Sequence, residues 1–364
     1  MAALRYWPPL AFLALAPIGA TMGGGWALAP VAAVPLAMVG LDAALGDEPA
    51  LENAPEGRAG RLLPAVYVVL QLCVIAWAAS RAARPGLAPA ELLGLALSCG
   101  LTLGVFGFVA AHEMIHSDRA GERALGLALL APAFYMHFRI AHVHGHHRRA
   151  ATREDPASAR LGESLYAFLP RSIAGQFREA WAFEARRLRR GGRRVIGPGN
   201  RMLAYLAIEG LLLVGVGLFS ARAMAFLLAS AVMAVFLLET FNYVAHYGLT
   251  RSLEPGGRVE RLGPQHAWNS ARRMNNRSLF NMGRHSDHHR LTTRPYQRLE
   301  AAPGAPELPA GYAGMVLLAI APPLWRRVMD PRAAAVRAAQ GEHDLALREP
   351  GRMVGAVGFE PTTR

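Results

Sequence analysis

The chain contains no lysine; all 39 of its basic residues are arginines. Acidic residues number only 26, charged residues make up 18% of the 364 positions, and the formal net charge is +13. Cysteine is nearly absent as well. Cys73 and Cys99 stand alone, with no C-x-x-C pair, which excludes a disulfide scaffold. Both lie in apolar stretches and read as packed core residues. What fills the chain instead is apolar: 52% of residues are hydrophobic and the mean hydropathy is +0.19. That is too apolar for an ordinary soluble domain, and the long apolar runs exclude disorder and collagen. A chain both this apolar and this basic is a membrane protein with arginine-rich loops or a nucleic-acid binder.

The distribution of the runs favours the membrane. Apolar segments cover 9–24, 26–45, 62–80, 89–111, 203–219 and 223–244, and about 17–25 apolar residues span a bilayer core as a helix. The first two runs are separated by Gly23 and Gly24 and read as a hairpin rather than a cleaved leader. A shorter run, 124–138, is interrupted by Pro132 and reads as a re-entrant or interfacial segment. Fourteen arginines fall in 139–201 and ten in 251–298, so the positive-inside rule puts both segments in the cytoplasm. Six spans then place both termini on the same side. The link at 46–61 is acidic (Asp47, Glu48, Glu52, Glu56), and Arg81 and Arg84 oppose the rule only mildly. The arginine-rich stretch 178–194 reads as a membrane-surface helix beside anionic headgroups. With no nucleic-acid signature elsewhere, no nucleic-acid partner is expected. The expected fold is therefore an all-α integral membrane protein of six transmembrane helices, over residues 1–332, followed by a polar and partly disordered tail, 333–364.

Nine of the thirteen histidines fall at four places. His112 and His116 form H-E-M-I-H after the fourth run, at a spacing that puts both rings on one helix face. His142, His146 and His147 lie in H-V-H-G-H-H. His246 follows the sixth run. His285, His288 and His289 form H-S-D-H-H. All nine sit at the predicted cytoplasmic ends of the spans. So many imidazoles on one side would repel one another if charged, whereas neutral imidazole is the commonest protein ligand for metals. An H-E-x-x-H motif by itself suggests a zinc protease with Glu113 as base, but that needs one more ligand, not seven. Zinc takes four ligands, so nine imidazoles imply two metals; ligand type alone leaves iron, copper, zinc and nickel open.

The boxes, taken with R-R-A-A-T-R-E-D-P-A-S-A-R-L-G-E-S (148–164), W-N-S (268–270), L-F-N-M-G-R-H-S-D-H-H (279–289), R-P-Y (294–296) and P-P-L-W-R-R-V-M-D-P (322–331), resemble the membrane-bound alkane 1-monooxygenase family. The resemblance covers roughly residues 20–332. It implies a non-haem di-iron site with two Fe ions on the nine histidines, on the cytoplasmic side of a bacterial inner membrane. It also implies O₂-dependent hydroxylation of the terminal methyl group of an n-alkane, with electrons from a separate rubredoxin and its reductase. The chain departs from the family pattern at Ser117, Ala141 and Ala245, where many members carry a lysine and two glutamates.

Carboxylates and amides behind metal-bound rings orient them. Glu113, Asp155, Asp287, Glu239 and Asn242 are candidates for that work, with Glu239 two helical turns before His246. His266 is the likeliest of the remaining histidines to assist; His137, His144 and His343 are left out. An alkane offers no polar handle, so a narrow apolar tunnel must select its methyl end. By resemblance, Val34 occupies the position where a bulky side chain limits chain length, and a small residue there implies medium-to-long chains. Two alternatives remain at this point. One is a related di-iron hydroxylase acting on a xylene-type aromatic methyl or a fatty acyl chain. The other is a membrane metal-binding or transport protein, which would place polar residues in mid-span.

Overall fold

The computed structural model describes residues 5–48, 58–252 and 258–348; the acidic Glu52 and Glu56 and the end of the tail lie outside them. The described residues form helices and connecting loops, with only two isolated bridges. We label the main helices α1 (Pro8–Met22), α2 (Ala29–Leu45), α3 (Arg58–Ala83), α4 (Pro89–Ile115), α5 (Ala120–Leu130), α6 (138–149), α7 (Leu165–Arg190), α8 (Arg201–Phe219), α9 (Ala221–His246), α10 (Arg273–Ser278), α11 (His285–Arg290), α12 (Tyr312–Ala319) and α13 (Pro322–Arg348). By length and composition, four helices can cross a membrane: Gly60–Ala83 within α3, then α4, α8 and α9. α1 and α2 are apolar but shorter.

Glycine sets the turn between α1 and α2. Gly23 and Gly24 both have positive φ, a conformation open to glycine at little cost. The Gly24 N–H is held by the Glu91 carboxylate, which also receives the Ala88 N–H at the start of α4.

α4 and α9 form the centre. They meet through small residues: Gly100 backs onto the Ser230 carbonyl, and Gly104 lies against the backbone of Ala234. A Cβ on Gly104 would stand 2.9 Å from the Ala234 Cα and carbonyl oxygen. Lipid tails are as apolar as the helix surfaces, so close backbone approach and dispersion have to hold membrane helices together. α4 also carries one π-helical turn, Leu103–Gly107, just before its histidine end.

Two expectations need correction. Cys99 is buried, but Cys73 is exposed on α3 beside exposed Val69 and Leu70. In a membrane protein an apolar neighbourhood does not mean an interior one, because the outward face is apolar too. The segment 124–138, expected to be re-entrant or interfacial, packs against the rest of the fold. α5 folds back against the end of α4, and the following turn buries Tyr135 and Met136. The Met136 N–H ends on Glu209. Finally, the chain does not lose its core pattern at Pro331. α13 runs through it, burying Trp325, Met329 and Ala333 at one-turn spacing, with Ala333 against Gly248. Beyond Pro331 the stripe continues only through Ala333 and half-buried Val336, between arginines and exposed alanines, so hydropathy alone hides it.

The arginine-rich 178–194 region lies largely within α7. That helix buries a four-residue repeat, Leu165, Phe168, Ser172, Gln176, Ala180, Glu184 and Leu188, and turns its arginines outward. Glu184 is held between Arg187 and Arg201. Burial alone would raise its pKa, but the two guanidinium partners outweigh this and bring it down to about 2.

Substituting Gly104 by leucine should prevent α4 and α9 from meeting. We expect a loss of about 2–3 kcal/mol or more, read as a collapse in the yield and thermal stability of detergent-solubilised protein. Wild-type stability in that variant would refute the close contact.

Candidate metal centre and substrate cavity

Each of the nine box histidines sits where an element ends or distorts. His112 lies in the last turn of α4 and His116 caps it; His246 is the last residue of α9; His285, His288 and His289 occupy the single short helix α11. The middle box lies on a π-helical stretch, Ala141–His146. In a π turn the bonding runs i→i+5 rather than i→i+4. The wider turn keeps residues four and five apart on one side, so both His146 and His147 share a face with His142.

The rings converge into two groups. His112, His116, His142, His147 and His288 form one; His146, His246, His285 and His289 form the other. Each group contains one candidate ligand atom per residue, all within 4.8 Å of one another. Three chain segments feed the first group, and the middle box and α11 contribute to both.

Hydrogen bonding cannot account for this arrangement. Nε2 of His142 lies 2.7 Å from Nε2 of His112 and 2.9 Å from that of His147, which is itself 3.1 Å from that of His116. In the second group His285 Nε2 stands 3.2 Å from His246 Nε2 and 3.1 Å from His289 Nε2. An imidazole nitrogen carries either one proton or one lone pair. The middle atoms of these chains therefore cannot satisfy both neighbours. Nε2 of His146 and of His288 are buried with no hydrogen-bond partner among the described residues. A shared cation resolves all of these contacts: ligand nitrogens at right angles on a metal about 2.1 Å away stand roughly 3 Å apart. The donor set fits a non-haem iron centre, and imidazole is a natural ligand for it.

The rings are also electrostatically prepared. Burial and the neighbouring imidazoles hold the pKa of His142, His147, His285, His288 and His289 well below the usual value. Burial brings that of His116 down to about 3. Their lone pairs are free at neutral pH.

Of the residues expected to orient the rings, Asp155 does so directly: its carboxylate faces His146 Nδ1 at 2.8 Å and also accepts from Ser158 and the Ala157 N–H. Burial tends to raise its pKa, but His146 and Ser158 bring it down. His266 is adjacent to His246, but it acts through its main chain: its carbonyl oxygen lies 3.0 Å from His246 Nδ1, while its own ring receives the Gly263 N–H. Among the described residues Glu113 has no hydrogen bond to an imidazole; it receives the Tyr296 N–H. Asp287, fully buried, pairs with Arg290 and Arg294 and receives the Glu300 N–H. Among the described residues Glu239 has no hydrogen bond or ion pair to a histidine or an arginine. It accepts from Tyr135, Ser172, Gln176 and, at 3.4 Å, Asn242. His137 packs against Tyr135 and Phe177, and neither it nor His144 joins a group. His343 lies outside the described side chains.

The motif W-N-S has a mechanical role that residue type alone does not reveal. Trp268 is bonded through its N–H to the Ala245 carbonyl and through its indole to that of Tyr247, which fixes it to the end of α9. Asn269 then brackets Ser286 with both ends of its amide. This clamp joins the segment carrying His246 to the helix carrying His285, His288 and His289.

An apolar cavity of about 190 Å³ leads to the centre. Val34, Met38, Leu101, Phe108, Phe236 and Met282 are among its walls, and it reaches His112, His142 and His285. It therefore touches both histidine groups. Val34, the expected channel residue, is fully enclosed there.

A helical membrane protein with two histidine-only metal groups at the end of an apolar cavity defines a class, the membrane histidine-box oxidoreductases. Residues 89–318 match the fatty acid desaturase family. The chain is 46% identical over 261 residues to "Alkane 1-monooxygenase 1" of Pseudomonas aeruginosa, which covers 71% of this chain and 68% of that protein. It is 45% identical over 249 residues to "Alkane 1-monooxygenase 2" of the same organism, covering 68% and 66%. It is 29% identical over 270 residues to "Xylene/toluene monooxygenase hydroxylase component XylM" of Pseudomonas putida, covering 71% and 70%. The chain spans about two thirds of the length of these relatives. It belongs to the alkane 1-monooxygenase family, within the wider desaturase family.

The lowered histidine pKa values set a pH dependence. In the unfolded chain these rings take up protons below about pH 6.5, whereas the folded apo-site resists until far lower; His116, for one, holds out to about 3. Stability is therefore present above about 6.5 and is lost as the pH falls below it. The Tm of metal-stripped protein should be several degrees lower at pH 5.5 than at pH 7.5; a Tm that does not fall would contradict buried, neutral rings.

Proposed function

We propose that this chain is an O₂-dependent hydroxylase that converts medium- to long-chain n-alkanes to 1-alkanols at a non-haem di-iron centre. The observation that carries this reading is the apolar cavity that ends against both histidine groups. In this reading the nine box histidines hold two iron ions, and bound iron supplies the oxygen-activating chemistry.

The rest of the work belongs to the chain. An alkane can be recognised only by shape and dispersion, and the cavity walls offer little else. They exclude water and present one end of a linear chain to the imidazole groups. Asp155 holds the His146 ring by Nδ1 so that its Nε2 would be free to bind a metal, and the His266 carbonyl does the same for His246. Fixing these rings in advance keeps the geometry of the centre independent of whether substrate is present.

In the same reading α1 and α2 complete a set of six spans. Both termini and the histidines face the cytoplasm of a bacterial inner membrane, and hydrocarbon dissolved in the bilayer reaches the cavity sideways. Electrons come from a separate rubredoxin, reduced by its reductase, and the outward arginines offer a face for such an acidic carrier.

Whole-cell conversion of a series from octane to hexadecane, read by gas chromatography, tests the reaction. Terminal alcohols should appear with the wild-type chain and vanish with His285→Ala. Turnover of xylene but of no alkane would favour an aromatic-methyl substrate instead. Replacing Val34 by tryptophan should shorten the longest alkane accepted by several carbons; an unchanged limit would remove Val34 from the role of channel gauge.

A further inference from the structure

Hydroxylation creates a polar group where the cavity has few polar partners. The alkane enters without a donor or acceptor; the alcohol leaves with an O–H that has lost access to water. A buried hydroxyl without a partner is costly, so the polar atoms of the wall matter more for product than for substrate.

The polar side chains on the wall are His112, His142, His285, Asn242 and Tyr312. The three imidazoles belong to the metal groups. The Tyr312 hydroxyl lies 3.1 Å from the Trp268 carbonyl and donates to it. The Tyr312 oxygen can still accept, but Asn242 offers an amide acceptor that carries no proton of its own; it is only 6% exposed and lies one helical turn before His246 on α9. Its Nδ2 points to Glu239. Glu239 is in turn held by the hydroxyls of Tyr135 and Ser172 and by the Gln176 amide, which come from the turn after α5 and from α7. A carboxylate ringed by donors fixes which end of the Asn242 amide faces it. The other end, Oδ1, accepts no hydrogen bond from any described residue.

We propose that Asn242 Oδ1 is the acceptor for the hydroxyl of the primary alcohol formed in the cavity, and that Glu239 is the positioning residue that keeps this acceptor turned to the product. Glu239 lies on α9 between the cavity and α7 and, among the described residues, has no hydrogen bond to a metal-binding ring, so orienting Asn242 gives this buried carboxylate a task. The inference rests on the hydroxylase reading above, and the two can fail separately.

The test compares two inhibitors of alkane turnover by the iron-loaded enzyme in membranes: 1-decanol and 1-methoxynonane. They match in heavy-atom count, but only the alcohol can donate a hydrogen bond. In the wild type, 1-decanol should inhibit about three- to tenfold more strongly, the range expected for one buried hydrogen bond. In Asn242→Leu, nearly isosteric but without the acceptor, the ratio should fall to about one. Asn242→Ala, which introduces no bulk, is measured in parallel and should show the same fall. A purely structural role for Asn242 would weaken both inhibitors together and leave the ratio intact. A wild-type ratio near one, or a ratio that survives in the variants, overturns the inference while leaving the hydroxylase reading standing. A wild type that oxidises no alkane overturns that reading itself.

Discussion

Nine imidazoles held within a few ångströms of one another are the constraint on which the rest of this structure depends. Within each group the nitrogen atoms stand at hydrogen-bond distance, yet no placement of protons satisfies them all. Protonation would make matters worse, since like charges would be packed into a buried site. The arrangement is tolerable when the rings are neutral and a cation occupies the centre of each group. The remainder of the fold brings four separate stretches of chain to that point and keeps water from it.

Several local devices share the task. The π turn in α6 resolves a geometric conflict, letting adjacent His146 and His147 serve different groups while remaining near His142. The Trp268–Asn269 clamp joins the end of α9 to α11, and Asp155 and the His266 carbonyl settle ring orientation. Asp287, one residue from His288, is spent on arginines: it pairs with Arg290 within α11, and its pair with Arg294 ties α11 to the loop that continues to Tyr296. Tyr296 in turn bonds to Glu113, beside His112. Carboxylates near the boxes thus brace the scaffold more often than they touch the rings.

The membrane side is built on the opposite principle. There α4 and α9 approach through Gly100 and Gly104, and the cavity is formed where larger side chains on α2, α4, α9 and α12 keep the helices apart. One buried polar network here gathers around Glu239, satisfied by four neighbouring side chains rather than by a counter-charge. Buried polar groups persist when each finds a partner, and such networks impose a single arrangement on the helices around them.

Much of this was legible without coordinates. Helical spacing, apolar run length and the four histidine boxes follow from local rules that act within a few residues, so they reveal the helical class, the long apolar helices and the nine histidines that converge. Other features depend on which distant segments meet. Residue type cannot tell that His266 contributes a carbonyl rather than a ring, that Asp287 faces arginine, or that Cys73 faces outward. Nor does hydropathy reveal that the alanine-rich α13 packs beyond Pro331. The division of the histidines into five and four also lies beyond local spacing, because His146 and His147 are neighbours in the chain and part company only in space. The chemistry available was already written in the residues, since donor atoms and apolar length are their own properties. How those donors are shared between two centres and where the cavity meets them were set in three dimensions, because both depend on contacts between segments distant in the chain.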